Sequence, residues 1–263
     1  MTLIEAIRLR RSVRDYSGAV LTYTQRAAVL QAINTATAPF GPAPHIALRT
    51  FDARGPQRPG TYGTISGARD YLLMGYHDTD TAAIAAGFVM ERVVLEATRL
   101  GLGTCWMAAT FRSADFAKGV GALQSVPLRI VCQVGEPSGH SSLRHRLTCI
   151  MAGSRKRKPF GELFSDGDFP TPLSPAGRLG EALELMRLAP SSLNSQPWRA
   201  LVSPDKSAIH FYTKAKGDLA MLDLGIGLCH FALGMAYTAP FFTAADAPPA
   251  HGLRYAISAK LNP

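Results

Sequence analysis

Two stretches of this chain are too apolar to lie on a surface as helices. Ala82 to Leu100 carries Phe88, Val89, Val93, Leu95 and Ala97 around most of its circumference, and Leu222 to Gly234 is almost wholly apolar and glycine. A helix that is hydrophobic all round has to be enclosed by other elements, so the fold must supply a core wide enough to surround both. With 263 residues, 47% of them hydrophobic, the chain can bury a core of that size. The second stretch runs on from Leu224 to Phe242, which raises a membrane span. His230 and Pro240 interrupt it, and its match to the first stretch favours a core helix.

Around these helices the pattern reads as mixed structure. Thr2 caps a first helix and Glu5, three residues on, completes a capping box ahead of Ile7 and Leu9. Gly101 closes the long helix. Strands are expected at Ile46–Phe51, Tyr71–Met74, Leu128–Val134, Arg199–Val202, Ala208–Tyr212 and Arg254–Ile257, with Ser203 to Lys206 turning the chain between two of them. Ser165 to Leu173, rich in Gly, Pro and Asp, reads as a linker before a helix capped by Ser174 with Pro175 in its first turn. The expected fold class is α+β, with antiparallel or mixed sheets flanked by helices. Two parts follow, 1–165 and a shorter 166–263.

Four segments carry candidate chemistry. Arg10-Arg11-Ser12-Val13-Arg14-Asp15-Tyr16 follows the first helix. Cations there suit the negative end of the helix dipole, and a solvated basic terminus is one reading; a phosphate clamp of forked guanidinium groups and a hydroxyl is the other. Leu188 to Trp198 stops a helix at Pro190 and sets Ser191, Ser192 and Asn194 in a turn before a strand. That is an ordinary connection, or a turn able to hold a flat polar ligand. Met107 to Phe111, with Ala109 and Thr110, is a loop of small residues that lets a backbone N–H approach a ring. Arg155-Lys156-Arg157-Lys158-Pro159 is a basic run, for whose Lys156 and Lys158 a solvated face is one reading.

In combination these segments resemble the FMN-dependent nitroreductase superfamily, in an internally duplicated single-chain form like its Thermotoga-type subgroup. Subunits of that family carry an RRSxR-type segment, an APSxxNxQPW-type segment, a helix ending in LGLGTCW and a basic tail running into KP. Arg10 to Tyr16, Leu100 to Trp106, the strand ending in Gly135-Glu136-Pro137 and Arg155 to Phe160 follow that order. The serine-rich segment does not. Ala38 to Leu48 stands in its place with the serines, asparagine, glutamine and tryptophan gone, while an intact copy lies at Ala189 to Trp198. Each half keeps what the other has lost. The resemblance therefore implies a pseudo-dimer in one chain with a nitroreductase-like fold and one flavin site formed between the two halves. It implies that Arg10, Arg11, Ser12, Arg14, Arg155 and Arg157 hold the phosphate and ribityl chain of FMN. Pro190, Ser191, Ser192 and Asn194 would meet the ring, with the backbone of Ala109 and Thr110 near N5. NADH or NADPH would be the electron donor, and the partner a small electron-poor acceptor of nitroaromatic or quinone type. No catalytic side chain is named, since the flavin does the chemistry. Phe40 in the altered copy is expected to shrink a second cavity.

Other classes recede. The formal charge of +9 suits anionic small ligands, because no interleaved aromatic and basic pattern points to nucleic acid. Gly101-x-Gly103 lacks the third glycine of a dinucleotide fingerprint and follows a helix. Cys105, Cys132, Cys149 and Cys229 lie without C-x-x-C spacing and read as buried thiols, so no metal is expected. His45, His210 and His230 read as structural. No signal-like opening is seen, and neither membrane binding nor export is expected, which points to the cytoplasm. A protein that binds or stores FMN without turnover is the alternative to an enzyme.

Overall fold

The computed structural model describes residues 1–52, 59–108, 110–117, 123, 126–139, 156–214 and 219–261. In chain order its elements are α1 (Leu3–Leu9), α2 (Tyr23–Thr35), β1 (His45–Thr50), β2 (Asp70–Gly75), α3 (Asp80–Arg99), β3 (Gly103–Met107), α4 (Ser113–Ala117) and β4 (Leu128–Gly135). Then come α5 (Phe160–Leu163), β5 (Phe164–Asp166), β6 (Asp168–Pro172), α6 (Gly177–Arg187), β7 (Trp198–Val202), β8 (Ala208–Lys214), α7 (Ala220–Gly234), β9 (Phe241–Phe242) and β10 (Leu253–Lys260). Contacts divide the chain into two compact units. One holds Met1–Ala36, Ala43–His77 and Met90–Ser154, the other Thr37–Pro42, Asp78–Val89 and Arg155–Pro263.

The first unit is built on a four-stranded antiparallel sheet of order β1-β2-β4-β3. The expected capping box starts α1: the Thr2 amide donates to Glu5 Oε2 at 2.7 Å and the Glu5 amide to Thr2 Oγ1 at 3.2 Å. β2 is buried along its whole length, as befits a strand covered on both faces. α3 ends in the expected glycine stop, where Gly101 takes φ +80° and the Leu102 amide reaches back to the Ala97 carbonyl at 3.0 Å. The segment after that stop is not only a loop, since Gly103–Met107 forms β3 against β4. So short a strand directly behind a helix stop leaves too few residues for an alternating pattern to show.

The second unit has a six-stranded sheet of order β6-β5-β7-β8-β10-β9, antiparallel except where β5 runs parallel to β7. Ser165 to Leu173, expected as a linker, is ordered here as β5 and β6. Pro170 and Pro172 misled that reading; β6 is an edge strand, where proline's missing N–H costs the ladder nothing. Ser174 and Pro175 also stand outside their helix. α6 begins at Gly177 with Ala176 as N-cap, and Ser174 Oγ instead accepts from the Ala176 amide at 3.3 Å. α7 is buried from Ala220 to Ala232, as its all-round apolarity requires. Among the described residues no helix is long and apolar enough to cross a membrane.

The two halves of the sequence repeat one succession of elements. Apart from α4, which lies between β3 and β4, α2-β1-β2-α3-β3-β4 is matched by α6-β7-β8-α7-β9-β10, and the sheet order β1-β2-β4-β3 by β7-β8-β10-β9. Within the second unit the start of α3 crosses α7 with their backbones touching. A methyl group on Gly87 would collide with the Leu222 carbonyl, and one on Gly225 with the Ile84 carbonyl. The contact is reciprocal, with Ile84 and Gly87 spaced like Leu222 and Gly225. Gly87→Ala and Gly225→Ala should therefore each destabilise the fold by about 2 kcal/mol or more in urea unfolding, as overpacking of a rigid backbone contact does. Gly101→Ala, which only strains a positive φ in open space, should cost about 1 kcal/mol.

Candidate functional site

Arg10 to Tyr16 forms an extended strap along β3. Its Val13 amide donates to the Thr104 carbonyl at 2.8 Å, Ser12 bridges Thr104, and the Tyr16 amide donates to the Ser66 carbonyl at 2.9 Å. Val13 and Tyr16 anchor it in a core cluster with Tyr71, Phe111 and Phe116. Burial there pushes the Tyr16 phenol well above its ordinary value. Between these anchors Arg11 is exposed, and Ser12 and Arg14 are half-buried, so this part of the strap offers polar groups outward.

Arg10 is placed differently from an open phosphate clamp. Its side chain is only 6% exposed and lies 4.0 Å from the buried Glu91 carboxylate of α3, which also accepts from Trp106 Nε1 at 3.1 Å. Arg10 Nε and Nη1 are buried and find no hydrogen-bond acceptor among the described residues. The pair is thus charge-matched but not saturated. Arg10→Ala would leave a buried carboxylate without its cation, a loss of about 3–5 kcal/mol. We expect the variant to unfold at distinctly lower urea in the absence of any ligand, and Arg11→Ala to match the wild type.

In the second unit, Leu188 to Trp198 folds as the sequence expects, with α6 ending at Arg187, a 3₁₀ turn at Ser192–Asn194 and β7 from Trp198. Its conformation is costly. Leu193, Asn194 and Gln196 all take left-handed φ, at 50°, 54° and 48°, at roughly 1–2 kcal/mol each for residues with a side chain. A hydrogen-bond network holds them. Ser191 Oγ accepts from the Gln196 amide at 2.9 Å, and Gln196 Nε2 donates to the Asn194 carbonyl at 3.0 Å. The Lys158 amide donates to Gln196 Oε1 at 2.8 Å. Asn194 Nδ2 donates to the Lys156 carbonyl at 2.9 Å and Arg157 Nη1 to Asn194 Oδ1 at 3.2 Å, while Arg157 Nη2 reaches the Leu188 carbonyl at 3.1 Å. Ser191, Asn194 and Arg157 thus meet as a single assembly in which much of their bonding serves the turn itself. Lys158 is less solvated than its sequence suggests: burial, with Arg199 and Lys214 nearby, pushes its ammonium pKa down.

Asp223 was not singled out by the sequence reading. It stands in the first turn of α7, 3% exposed, and both its oxygens lie 3.0 Å from the Ser192 amide. Burial raises its carboxyl pKa to about 7, against the lowering effect of that amide. The signal was a lone acid within an apolar helix. A carboxyl raised in the folded state contributes most below its unfolded value near 4 and loses that contribution as pH climbs through 7. Unfolding free energy should therefore fall between pH 4 and 8 by on the order of 4 kcal/mol more in the wild type than in Asp223→Asn, measured by urea unfolding at each pH.

In the segment Ala38 to Leu48, Phe40 packs inward and Gly41 sits close to α3. Phe40 lies edge-on to Phe88 at 5.4 Å and to Phe241 at 5.0 Å, and a side chain at Gly41 would meet the α3 backbone at Thr81 and the Ala85 methyl at 3.1 Å. Of the remaining expected residues, Pro190 and Ser192 lie half-buried on the intact turn and Thr110 is exposed beyond β3. Ala109 and Arg155, like Cys149, lie outside the described residues. His210 bonds Ser258 Oγ at 2.8 Å and His230 the Leu185 carbonyl at 3.0 Å, as structural histidines do.

A family model described as "Putative TM nitroreductase" matches residues 2–235. The chain belongs to that nitroreductase family. It is accordingly an oxidoreductase of the nitroreductase type with the nitroreductase fold. Among solved structures, a putative nitroreductase from Thermotoga maritima is similar over 100% of this chain and 95% of its own, at 22% identity and a TM-score of 0.64. A nitroreductase family protein from Clostridium difficile is 17% identical over 62% of this chain and 96% of its own, with a TM-score of 0.44. A putative nitroreductase from Desulfovibrio desulfuricans, solved in complex with FMN, is 21% identical over 54% of this chain and 91% of its own, with a TM-score of 0.41. No curated protein matches the chain.

Proposed function

We propose that this nitroreductase-family member binds one FMN and uses NADH or NADPH to reduce an electron-poor acceptor of nitroaromatic or quinone type. The observation that carries the reading is the intact Pro190–Asn194 turn, held in an unfavourable backbone conformation by a dedicated network. Strain of that kind persists where a particular shape is needed. The repeated element order and the reciprocal glycine crossing support descent of 1–165 and 166–263 from one duplicated subunit, of which a single flavin site is retained.

The residues present fit FMN. Arg10 carries two buried guanidinium nitrogens that have no acceptor among the described residues, and a phosphate oxygen would add bonds there rather than compete for them. Arg11, Ser12 and Arg14 beside it supply further donors on a strap pinned to β3. Arg10, Arg11, Ser12, Arg14, Arg155 and Arg157 would hold the phosphate and ribityl chain. Pro190, Ser191, Ser192 and Asn194 would orient the ring, and the backbone of Ala109 and Thr110 would lie near N5. Bound FMN would supply hydride transfer, taking two electrons from a nicotinamide donor and delivering them to the acceptor after the donor has left. The chain's own part is to bind, orient and keep water from the ring. No side chain is assigned a proton-transfer role.

Incubation with FMN followed by desalting should leave a yellow protein whose visible flavin absorbance bleaches on anaerobic addition of NADH or NADPH. Arg11→Ala/Arg14→Ala, which leaves the Arg10–Glu91 pair intact, should lose most of that colour while unfolding at the same urea concentration as the wild type. Retained colour that neither nucleotide bleaches would identify an FMN-binding or storage protein instead, and a colourless wild type would sink both readings.

A further inference from the structure

The network around the intact turn grips it mainly on one side. Ser191 Oγ, Asn194, Gln196, Arg157 and the backbone of Lys156 and Lys158 tie down its later residues. Its first 3₁₀ residue, Ser192, is held from below, by both oxygens of Asp223 on the Ser192 amide. A first-turn acid suits the positive end of α7, but an exposed one would do that without the desolvation that Asp223 bears at 3% exposure among buried apolar neighbours. A buried carboxyl that costs desolvation is kept where it does something an apolar residue cannot.

The other copy of the motif shows what that is. Asp223 lies two residues before Gly225, the glycine that crosses α3; on α3 the residue two before the corresponding Gly87 is Ala85. Each position faces its own version of the turn: Ala85 packs against Gly41 of the altered copy, while Asp223 binds Ser192 of the intact one. The acid accompanies the serine-bearing turn, and where the serines are gone a methyl group fills the place. α3 has its own first-turn acid at Asp80, so the two helices differ at the place beneath the turn, not in whether they begin with an acid.

We propose that Asp223 is a positioning residue for the flavin-facing turn, fixing through the Ser192 amide the direction in which Pro190 to Asn194 meets the FMN ring. The inference rests on the flavin reading above. In Asp223→Ala the Ser192 amide loses its acceptor and the front of the turn is released. In Asp223→Asn the amide oxygen can accept the same N–H, so the geometry is kept without the charge.

The test is titration of the purified apoprotein with FMN, followed by quenching of flavin fluorescence, with visible circular dichroism of the bound flavin and ligand-free urea unfolding run beside it. Asp223→Ala should bind FMN at least tenfold more weakly and with an altered dichroism band, and Asp223→Asn should return to within threefold of the wild type. If Asp223→Ala does not fold, Ser192→Pro removes the donor instead. Ser191 is already extended at φ −149° and ψ 161°, as the residue before a proline requires. Ser192→Pro should bind tenfold more weakly than Ser192→Ala, the control for the lost hydroxyl. Asp223→Ala with wild-type affinity and dichroism would overturn the inference, even if its stability were lowered. So would Asp223→Asn binding as weakly as Asp223→Ala, or Ser192→Pro binding as tightly as Ser192→Ala. A wild type that binds no FMN would instead overturn the flavin reading and the inference with it.

Discussion

Two helices can lie backbone against backbone only where both lack side chains at the crossing, and α3 and α7 meet that condition at Gly87 and Gly225. Much of the second unit follows from this contact. With the helix axes so close, the residues beside each glycine are committed to short distances: Ala85 against Gly41 on one side, Asp223 against Ser192 on the other. The crossing therefore fixes what can stand beneath each copy of the turn. Phe40, Phe88 and Phe241 fill the space beside the altered one with edge-to-face contacts, which bury apolar surface and need no ligand.

Much of this architecture was legible in the sequence because it rests on strong local signals. The capping box at Thr2 and Glu5 and the glycine after α3 each dictate a backbone geometry on their own. The expected strands, β1, β2, β4, β7, β8 and β10, include every strand among the described residues with a neighbour on both sides except β5. What escaped were short or edge pieces. β3 is five residues long and follows a helix stop, β9 has two residues, and β5 with β6 carries the glycine, aspartate and prolines of a loop. Residues 156–165, at the end of the 1–165 half read from the sequence, cluster with the second unit, to whose sheet β5 adds. Composition reports how a residue behaves alone; pairing at an edge is decided by a partner far away in the chain.

The candidate site divides in the same way. That the strap and the turn are special could be read from their residue types, since clustered arginines and a Pro-Ser-Ser-x-Asn turn are unusual in one short chain. How those side chains are used could not. Arg10 looks like its neighbour Arg11, but Glu91, on a helix some eighty residues later, takes its charge into the interior and leaves Arg11 outside. Asn194 and Ser191 look like groups offered to a ligand, yet Asn194 bonds the Lys156 carbonyl and Arg157, and Ser191 bonds the Gln196 amide.

That self-bonding bears on how a flavin would be received. A turn whose polar side chains were free would have to be ordered by its ligand, and the ordering entropy would be taken from the binding energy. Here three left-handed residues are already fixed by bonds from Ser191, Gln196, Asn194 and Arg157, and Ser192 by Asp223. The cost of the shape is met during folding, within a unit whose core is large enough to bear it. A flat ring meeting such a turn would find its geometry set in advance. At Ala38–Leu48 there is no serine turn to hold: Ala85 stands beneath Gly41, and Phe40 packs edge-to-face against Phe88 and Phe241.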